Sequence, residues 1–373
     1  MISCFDLKHH FKPRAGWMND PNGLVYFQGY YHAFYQHAPH FESPWHEPMM
    51  WGHARTKDFI HWEELPIALH ADQPYDCKGA WSGTAIVKDD TLYLFYASIA
   101  PLPENFSPAP GQKHIQNISV AFSKDGLHFE KYADNPIIRE IPREGSFDFR
   151  DPAVMEKDGK YYCVIGSGNP DDQAARLLLY ESADLFHWNY AGVLCEWANS
   201  VYCECPSFMP YGEKYLLTTS VCEKGKHYFS IMYGNFDGKH FIPEVTGEVH
   251  KGPDQYAGQV FLDHLGRHIM ITWVPGWSYA TFAEKNLGCL SLPIELKIEN
   301  GKVKGYPLPE VRHLLKDSDP AVQITDNGFR LDRVLRDPII HEGKIDDIKI
   351  LRDEYLIEIF INQGEYIYTA VLC

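Results

Sequence analysis

Gly159-Lys160-Tyr161-Tyr162-Cys163-Val164-Ile165-Gly166-Ser167 is a turn residue followed by a short run of aromatic and β-branched side chains. Such a run reads as a strand entered from a tight turn. The pattern occurs five times, at Gly29–Gln36, Asp90–Ser98, Gly159–Ser167, Gly212–Ser220 and Gly266–Val274. A second pattern is interleaved with it: an Asp, a Trp or Phe four residues later, and a Ser, Thr or Asn two residues before. It occurs at Asp58/Trp62, Asp125/Phe129, Asp184/Trp188 and Asp237/Phe241, at separations of 67, 59 and 53 residues. Either pattern alone fits any all-β chain. In step, and with long helical periodicity nearly absent before residue 310, they predict an all-β fold, a five-bladed β-propeller. The innermost strands of a propeller converge on a central depression, so residues far apart in sequence meet there.

Three carboxylates stand in short polar motifs beside these runs. Gly16-Trp17-Met18-Asn19-Asp20-Pro21-Asn22-Gly23 holds Asp20 between an amide and a proline, ahead of the strand Leu24–Phe27. Pro21 biases Asp20 to extended geometry, and Asn22-Gly23 favours a tight turn. Phe149-Arg150-Asp151-Pro152 again sets Asp before Pro and adds a guanidinium with five donors. Cys203-Glu204-Cys205-Pro206 flanks Glu204 with two small apolar groups. Those surroundings predict a raised pKa for Glu204, and donors predict ionised Asp20 and Asp151. One acid and one anion are the pair that glycoside hydrolysis uses. Taken singly, each motif also reads as a plain turn, a surface Arg-Asp turn or a buried glutamate.

Composition narrows the alternatives. The 373 residues carry 34 Lys and Arg against 50 Asp and Glu, a net charge of −16. Nucleic acid is therefore excluded as an expected partner. No apolar stretch of 18 residues predicts a membrane helix. The first ten residues lack an apolar segment of the secretory type. Nine cysteines at irregular spacing do not read as a disulfide framework, and no Cys/His set has zinc spacing. The expectations are cytoplasmic residence, no metal and no cofactor.

Trp17–Gly23, Arg150-Asp151-Pro152 and Glu204-Cys205 together resemble the three signature motifs of glycoside hydrolase family 32, the invertase, levanase and inulinase family. Phe34-Tyr35-Gln36, Trp51-Gly52-His53-Ala54, Trp81-Ser82-Gly83-Thr84, Tyr256-Ala257-Gly258-Gln259 and Leu292-Pro293-Ile294-Glu295-Leu296 match in the same order. The resemblance covers roughly residues 11–310. It implies the same five-bladed fold, with Asp20 as nucleophile, Glu204 as general acid/base and Asp151 as transition-state stabiliser. Asn19, Gln36, Ser82 and Arg150 are the expected polar substrate contacts. Trp45, Trp81 and Trp277 offer faces for sugar rings, or else pack the blades. Ser207 stands where family members often carry Asp, which puts the leaving-group side in question. The loop Pro101–Ile115, with four prolines, is placed to shape that side, and its Lys113 and His114 are candidate phosphate contacts.

The implied activity is retaining hydrolysis of terminal β-fructofuranosyl bonds in sucrose, sucrose 6-phosphate or short fructo-oligosaccharides. A fructosyltransferase or fructan-disaccharide hydrolase uses the same intermediate. A non-catalytic fructan-binding propeller is the contrasting reading, which three intact carboxylates disfavour. The expected domains are a catalytic propeller over residues 1–309 and a short C-terminal β module over 310–373. The family's C-terminal β-sandwich is larger than the 64 residues after Pro309. A helix from about Leu308 to Asp319 is expected there. Strands follow at Phe329–Leu331, Ile345–Arg352, Leu356–Ile361 and Tyr366–Leu372. They form a shortened sandwich or one open sheet on the propeller, with edges suited to a homodimer.

Overall fold

The computed structural model describes residues 7–41, 45–46, 48–169, 173–223, 226–277, 288–334 and 336–372. The leader reading at residues 1–6 lies outside them. Seven antiparallel sheets follow one another along the chain. Sheet 1 holds β1 (Trp17–Phe27), β2 (Tyr30–Ala38), β3 (Met50–Thr56) and β4 (Trp62–Leu69). Sheet 2 holds β5 (Gly79–Lys88), β6 (Thr91–Pro101), β7 (His114–Ser123) and β8 (Glu130–Lys131). Sheet 3 holds β9 (Phe149–Lys157), β10 (Lys160–Asn169), β11 (Ala174–Ser182) and β12 (Asn189–Ala198). Sheet 4 holds β13 (Ser200–Tyr211), β14 (Lys214–Glu223), β15 (Lys226–Phe236) and β16 (Phe241–Gly247). Sheet 5 holds β17 (Tyr256–Leu262), β18 (His268–Val274), β19 (Cys289–Leu290), β20 (Ile294–Glu299) and β21 (Lys302–Pro307).

Each repeated turn-and-run segment is the second strand of a sheet: β2, β6, β10, β14 and β18. These strands read as nearly unbroken apolar runs because both faces are covered, as β18 shows, buried at every residue. The outermost strands are half-exposed, as in β16. The Asp-aromatic repeat forms the turn into the fourth strand of sheets 1 to 4. Asp58 Oδ1 accepts the Ile60 and His61 N–H groups, and Thr56 Oγ accepts the Phe59 N–H. Asp125 and Asp184 repeat that arrangement with Ser123 and Ser182.

Sheets pack face to face in chain order. Phe34 and Trp51 share a cluster with Leu94 and Tyr96, and Phe95 and Ile118 share one with Cys163 and Leu178. Tyr162 and Leu177 meet Phe208 and Leu217, and Leu24 and Tyr31 meet Ile231 and Ile271. The first strands therefore touch in a ring, β1 to β5, β5 to β9, β9 to β13, β13 to β17 and β17 to β1.

The tail differs from expectation at its start. The expected helix is a single 3-10 turn at Arg312–Leu314, after which Lys316 pairs with Ile350. Of the two expected arrangements, a shortened sandwich or one open sheet, two three-stranded sheets form. They are β22 (Val322–Thr325), β23 (Gly328–Leu331) and β24 (Ile339–Glu342), then β25 (Ile348–Asp353), β26 (Leu356–Ile361) and β27 (Tyr366–Val371). Phe329 and Leu331 on one share a core with Ile357 and Ile359 on the other. Strands of four to six residues make two sheets possible in so short a segment. Gln363-Gly364, both at positive φ, make the turn between β26 and β27.

Candidate active site

All five first strands slip register against their neighbours, and the slips carry the polar motifs. The irregular positions lie between Met18 and Pro21 in β1, Trp81 and Gly83 in β5, and Arg150 and Ala153 in β9. In β13 they lie between Glu204 and Ser207, and in β17 between Tyr256 and Gln259. A bulge turns a side chain out of the alternation of the strand. Asp151, Cys205 and Ala257 accordingly take left-handed φ of 61°, 49° and 50°. The Asn22-Gly23 step expected as a tight turn is instead a second irregularity inside β1.

The bulges bring the three carboxylates together. A cavity of about 400 Å³ is lined by Asp20, Asp151 and Glu204 with Trp45, Trp81, Ser82, Arg150 and Trp277. Tyr256, Asp148, Gln116, Phe147 and the loop residues Gly111, Lys113 and His114 complete the wall. Asn19 and Gln36 lie behind it. Trp17 Nε1–H donates to Asn19 Oδ1 (2.8 Å), and Asn19 Nδ2–H donates to Asp20 Oδ1 (3.0 Å). Ser82 Oγ–H donates to the other oxygen of Asp20 (2.7 Å). Gln36 is 1% exposed and donates to the Ala80 carbonyl. Both amides therefore hold the wall in place from behind. The three tryptophans pack on one another, Trp45 against Trp81 at 5.4 Å and against Trp277 at 6.0 Å between centroids. They serve packing and the cavity lining together.

Cys205 ties the floor together. Its N–H donates to Asp151 Oδ2 (2.9 Å), and its Sγ lies 3.6 Å from both Asp20 Oδ2 and Asp151 Oδ2. Arg150 is bonded to Glu204 and Asp148 and not to its neighbour Asp151. Its Nε and Nη2 donate to Glu204 Oε1 (3.2 and 2.9 Å), and its Nη1 donates to Asp148 (2.7 Å). The Tyr256 hydroxyl meets Glu204 Oε2 at 2.5 Å. Donors thus surround Glu204, where two cysteines had suggested an apolar pocket. Cys203 turns away, its Sγ toward the Arg176 carbonyl at 3.2 Å.

Both aspartates are raised. Burial pushes Asp20 up, and its donors from Asn19 and Ser82 only partly oppose this. Burial likewise pushes Asp151 up, to about 7; the Arg150 charge opposes it, and the Glu204 and Asp20 charges add to it. Of the three floor carboxyls only Glu204 is bonded to the guanidinium, so the two aspartates are left without a paired cation, a place that a positive reacting centre would fill. Ser207 stands outside this cavity; its Oγ accepts the Val260 N–H. Tyr256 was legible as part of a motif, but nothing in the sequence pointed its hydroxyl at Glu204. Among the described residues no group of three or more His, Cys, Asp or Glu is arranged to hold a metal ion.

A family model described as the glycosyl hydrolases family 32 N-terminal domain matches residues 10–307. A raffinose invertase of Escherichia coli is 35% identical over 337 residues, covering 86% of this chain and 68% of that protein. A sucrose-6-phosphate hydrolase of the same organism is 34% identical over 322 residues, covering 82% of this chain and 65% of that protein. This chain thus matches about two thirds of the length of these relatives. Among solved structures, a Bombyx mori family 32 β-fructofuranosidase superposes with a TM-score of 0.83 at 25% identity, covering 99% of this chain and 89% of that one. A Lactobacillus gasseri sucrose-6-phosphate hydrolase shares the fold with a TM-score of 0.84 at 23% identity, covering 99% of this chain and 88% of that one.

Proposed function

The chain belongs to glycosyl hydrolase family 32, and on that premise we propose that it is a retaining β-fructofuranosidase acting on sucrose or sucrose 6-phosphate. The observation that carries the reading is the convergence of Asp20, Asp151 and Glu204 on the floor of one cavity, Glu204 clamped by Arg150 and Tyr256. Asp20 attacks the anomeric carbon of the fructosyl unit, and its oxygens are aimed by Asn19 and Ser82. Glu204 gives its proton to the departing glycosidic oxygen, and a fructosyl ester of Asp20 forms. Water, deprotonated by the same Glu204, then releases fructose and restores both groups. Asp151 makes no bond to the sugar. Its charge, crowded against Asp20 and Glu204, is relieved as the oxocarbenium centre becomes positive. That interaction is stronger in the transition state than in the ground state, which is what accelerates the step.

The five-sheet region, residues 1–309, is the catalytic unit of this proposal, a five-bladed propeller. The ring of contacts among β1, β5, β9, β13 and β17 supports it. Residues 310–373 form the second, smaller unit. The seven described cysteines are free, Cys77 among them on the surface, which suits a reducing compartment. Incubation of the purified chain with sucrose and with sucrose 6-phosphate tests the activity. Equimolar release of fructose and of glucose or its 6-phosphate is expected; an intact disaccharide in both reactions overturns the reading.

A further inference from the structure

The cavity wall holds a cation that the hydrolytic chemistry leaves unused. Four carboxylates line the cavity: Asp20, Asp148, Asp151 and Glu204. Arg150 is committed to two of them, Asp148 and Glu204. Lys113 lines the same cavity and forms no ion pair among the described residues. In a chain of net charge −16, Lys113 keeps an exposed ammonium on the wall of a cavity lined by acidic side chains.

The loop that carries it is built to hold it there. Gln112 N–H donates to the Ala109 carbonyl (3.0 Å), and its side chain accepts the Ala109 N–H (3.1 Å) and donates to the His114 carbonyl (3.3 Å). These bonds bracket the backbone on both sides of Lys113. The position of a Gly111 Cβ lies 3.9 Å from the Phe147 ring, and Gln116 Oε1 accepts the Phe149 N–H (2.9 Å). The loop therefore leans on the segment that leads into Asp148 and Arg150, the side of the cavity that holds Glu204. On the proposed mechanism the proton donor faces the leaving group, so the wall that carries Lys113 is assigned to the leaving-group side.

We propose that Lys113 is a specificity-determining residue that pairs with a phosphate on the leaving sugar, making sucrose 6-phosphate the preferred substrate over sucrose. The proposal rests on the fructosidase reading and deepens it. A phosphate dianion approaching this acidic wall is repelled by those of its carboxyls that are ionised, and an unpaired ammonium at the wall offsets that repulsion where the phosphate sits. A neutral sucrose gains nothing from the charge. The pairing adds binding without entering the chemical step, so it acts chiefly on KM for the phosphorylated substrate.

The test is the ratio of kcat/KM on sucrose 6-phosphate to that on sucrose, measured for the full chain, Lys113→Gln and Lys113→Arg. The unsubstituted chain should favour the phosphate. Lys113→Gln should lower the ratio about tenfold or more, and Lys113→Arg should keep most of it. Added salt should raise KM for the phosphate substrate in the unsubstituted chain and much less in Lys113→Gln. Turnover of both substrates with a ratio that Lys113→Gln leaves unmoved overturns this inference alone. Turnover of neither overturns the fructosidase reading, and this inference with it.

Discussion

Two buried clusters of carboxylates in this molecule have opposite outcomes. At the junction of the N-terminal segment and the tail, His10 lies between Asp353 (2.8 Å from Nδ1) and Glu358 (3.0 Å from Nε2), with all three side chains at most 2% exposed. Burial alone would lower the His10 pKa, but its two carboxylate partners outweigh it and raise it to about 9. Asp353 is held down at about 2 against its burial by His10 and by the N–H groups of Lys8 and His9. On the cavity floor, Arg150 bonds Glu204 and neither aspartate, and burial leaves Asp20 and Asp151 raised. The first cluster has its charge satisfied and serves as a latch. The second is left short of positive charge, which on the proposed mechanism a reacting sugar supplies. On that proposal a buried acid is structural where its partners are built in, and catalytic where one is left to the substrate.

The comparison is open to being broken by substitution, and the largest effect should come from Asp20. Asp20→Ala should lower kcat on sucrose about 10⁴-fold or more, because no covalent intermediate forms. Retention of a tenth of the activity would place the nucleophile elsewhere. Asp151→Asn comes next, with a loss of several orders of magnitude in kcat. The asparagine oxygen still accepts the Cys205 N–H, and a repelled charge is removed from the floor. The same variant should therefore melt higher, by an amount on the order of 1 kcal/mol. A lower melting temperature would contradict the claim that the floor is strained by charge.

Asp353→Asn should do the reverse. It breaks a satisfied buried pair and should destabilise by about 3–5 kcal/mol, with kcat on the folded fraction kept. The latch also sets a pH window. His10 is raised from 6.5 to about 9, so its contribution is complete below pH 6.5 and is lost as pH rises through 9. Asp353 is lowered from 3.8 to about 2, so its contribution is complete above pH 3.8 and is lost as pH falls through 2. Thermal stability of the unsubstituted chain should exceed that of Asp353→Asn most between those limits. A difference that does not vary with pH would count against a charged His10. The smallest effect should be that of Tyr256→Phe, which removes one bond to Glu204. A fall in kcat of about tenfold with KM nearly unchanged is expected; an unchanged kcat would mean that the hydroxyl does not position the acid.

Much of this is legible in the sequence. The five turn-and-run segments were strands because both of their faces are covered, so a local apolar run reported its own burial. Asp20, Asp151 and Glu204 announced themselves through Pro and Cys neighbours that strain or bulge a strand. The partners were not legible. His10 meets Asp353 across 343 residues, and Tyr256 meets Glu204 across 52, separations for which no local pattern exists. The expectation that donors keep Asp20 and Asp151 low failed because burial outweighs those donors. Nor do the cysteines beside Glu204 enclose it: Cys203 turns its Sγ to the Arg176 carbonyl, and the bulge at Glu204–Ser207 aims Cys205 at the two aspartates. Asn22-Gly23 looked like a turn because that pair often is one, but here Gly23 is needed for close packing: a Cβ there would stand 2.9 Å from Phe34 and 3.0 Å from Trp51. The tail strands Val322–Thr325 and Ile339–Glu342 went unread because four residues give too little period to recognise.

The claim that Asp20 attacks the sugar is tested most directly by the configuration of the fructose first released. NMR of sucrose hydrolysis, followed from the first turnover and before mutarotation, should show β-fructofuranose, the product of two displacements with Asp20 as the first nucleophile and Glu204 as the base for water. Appearance of the α anomer first would mean a single displacement by water and would contradict the account.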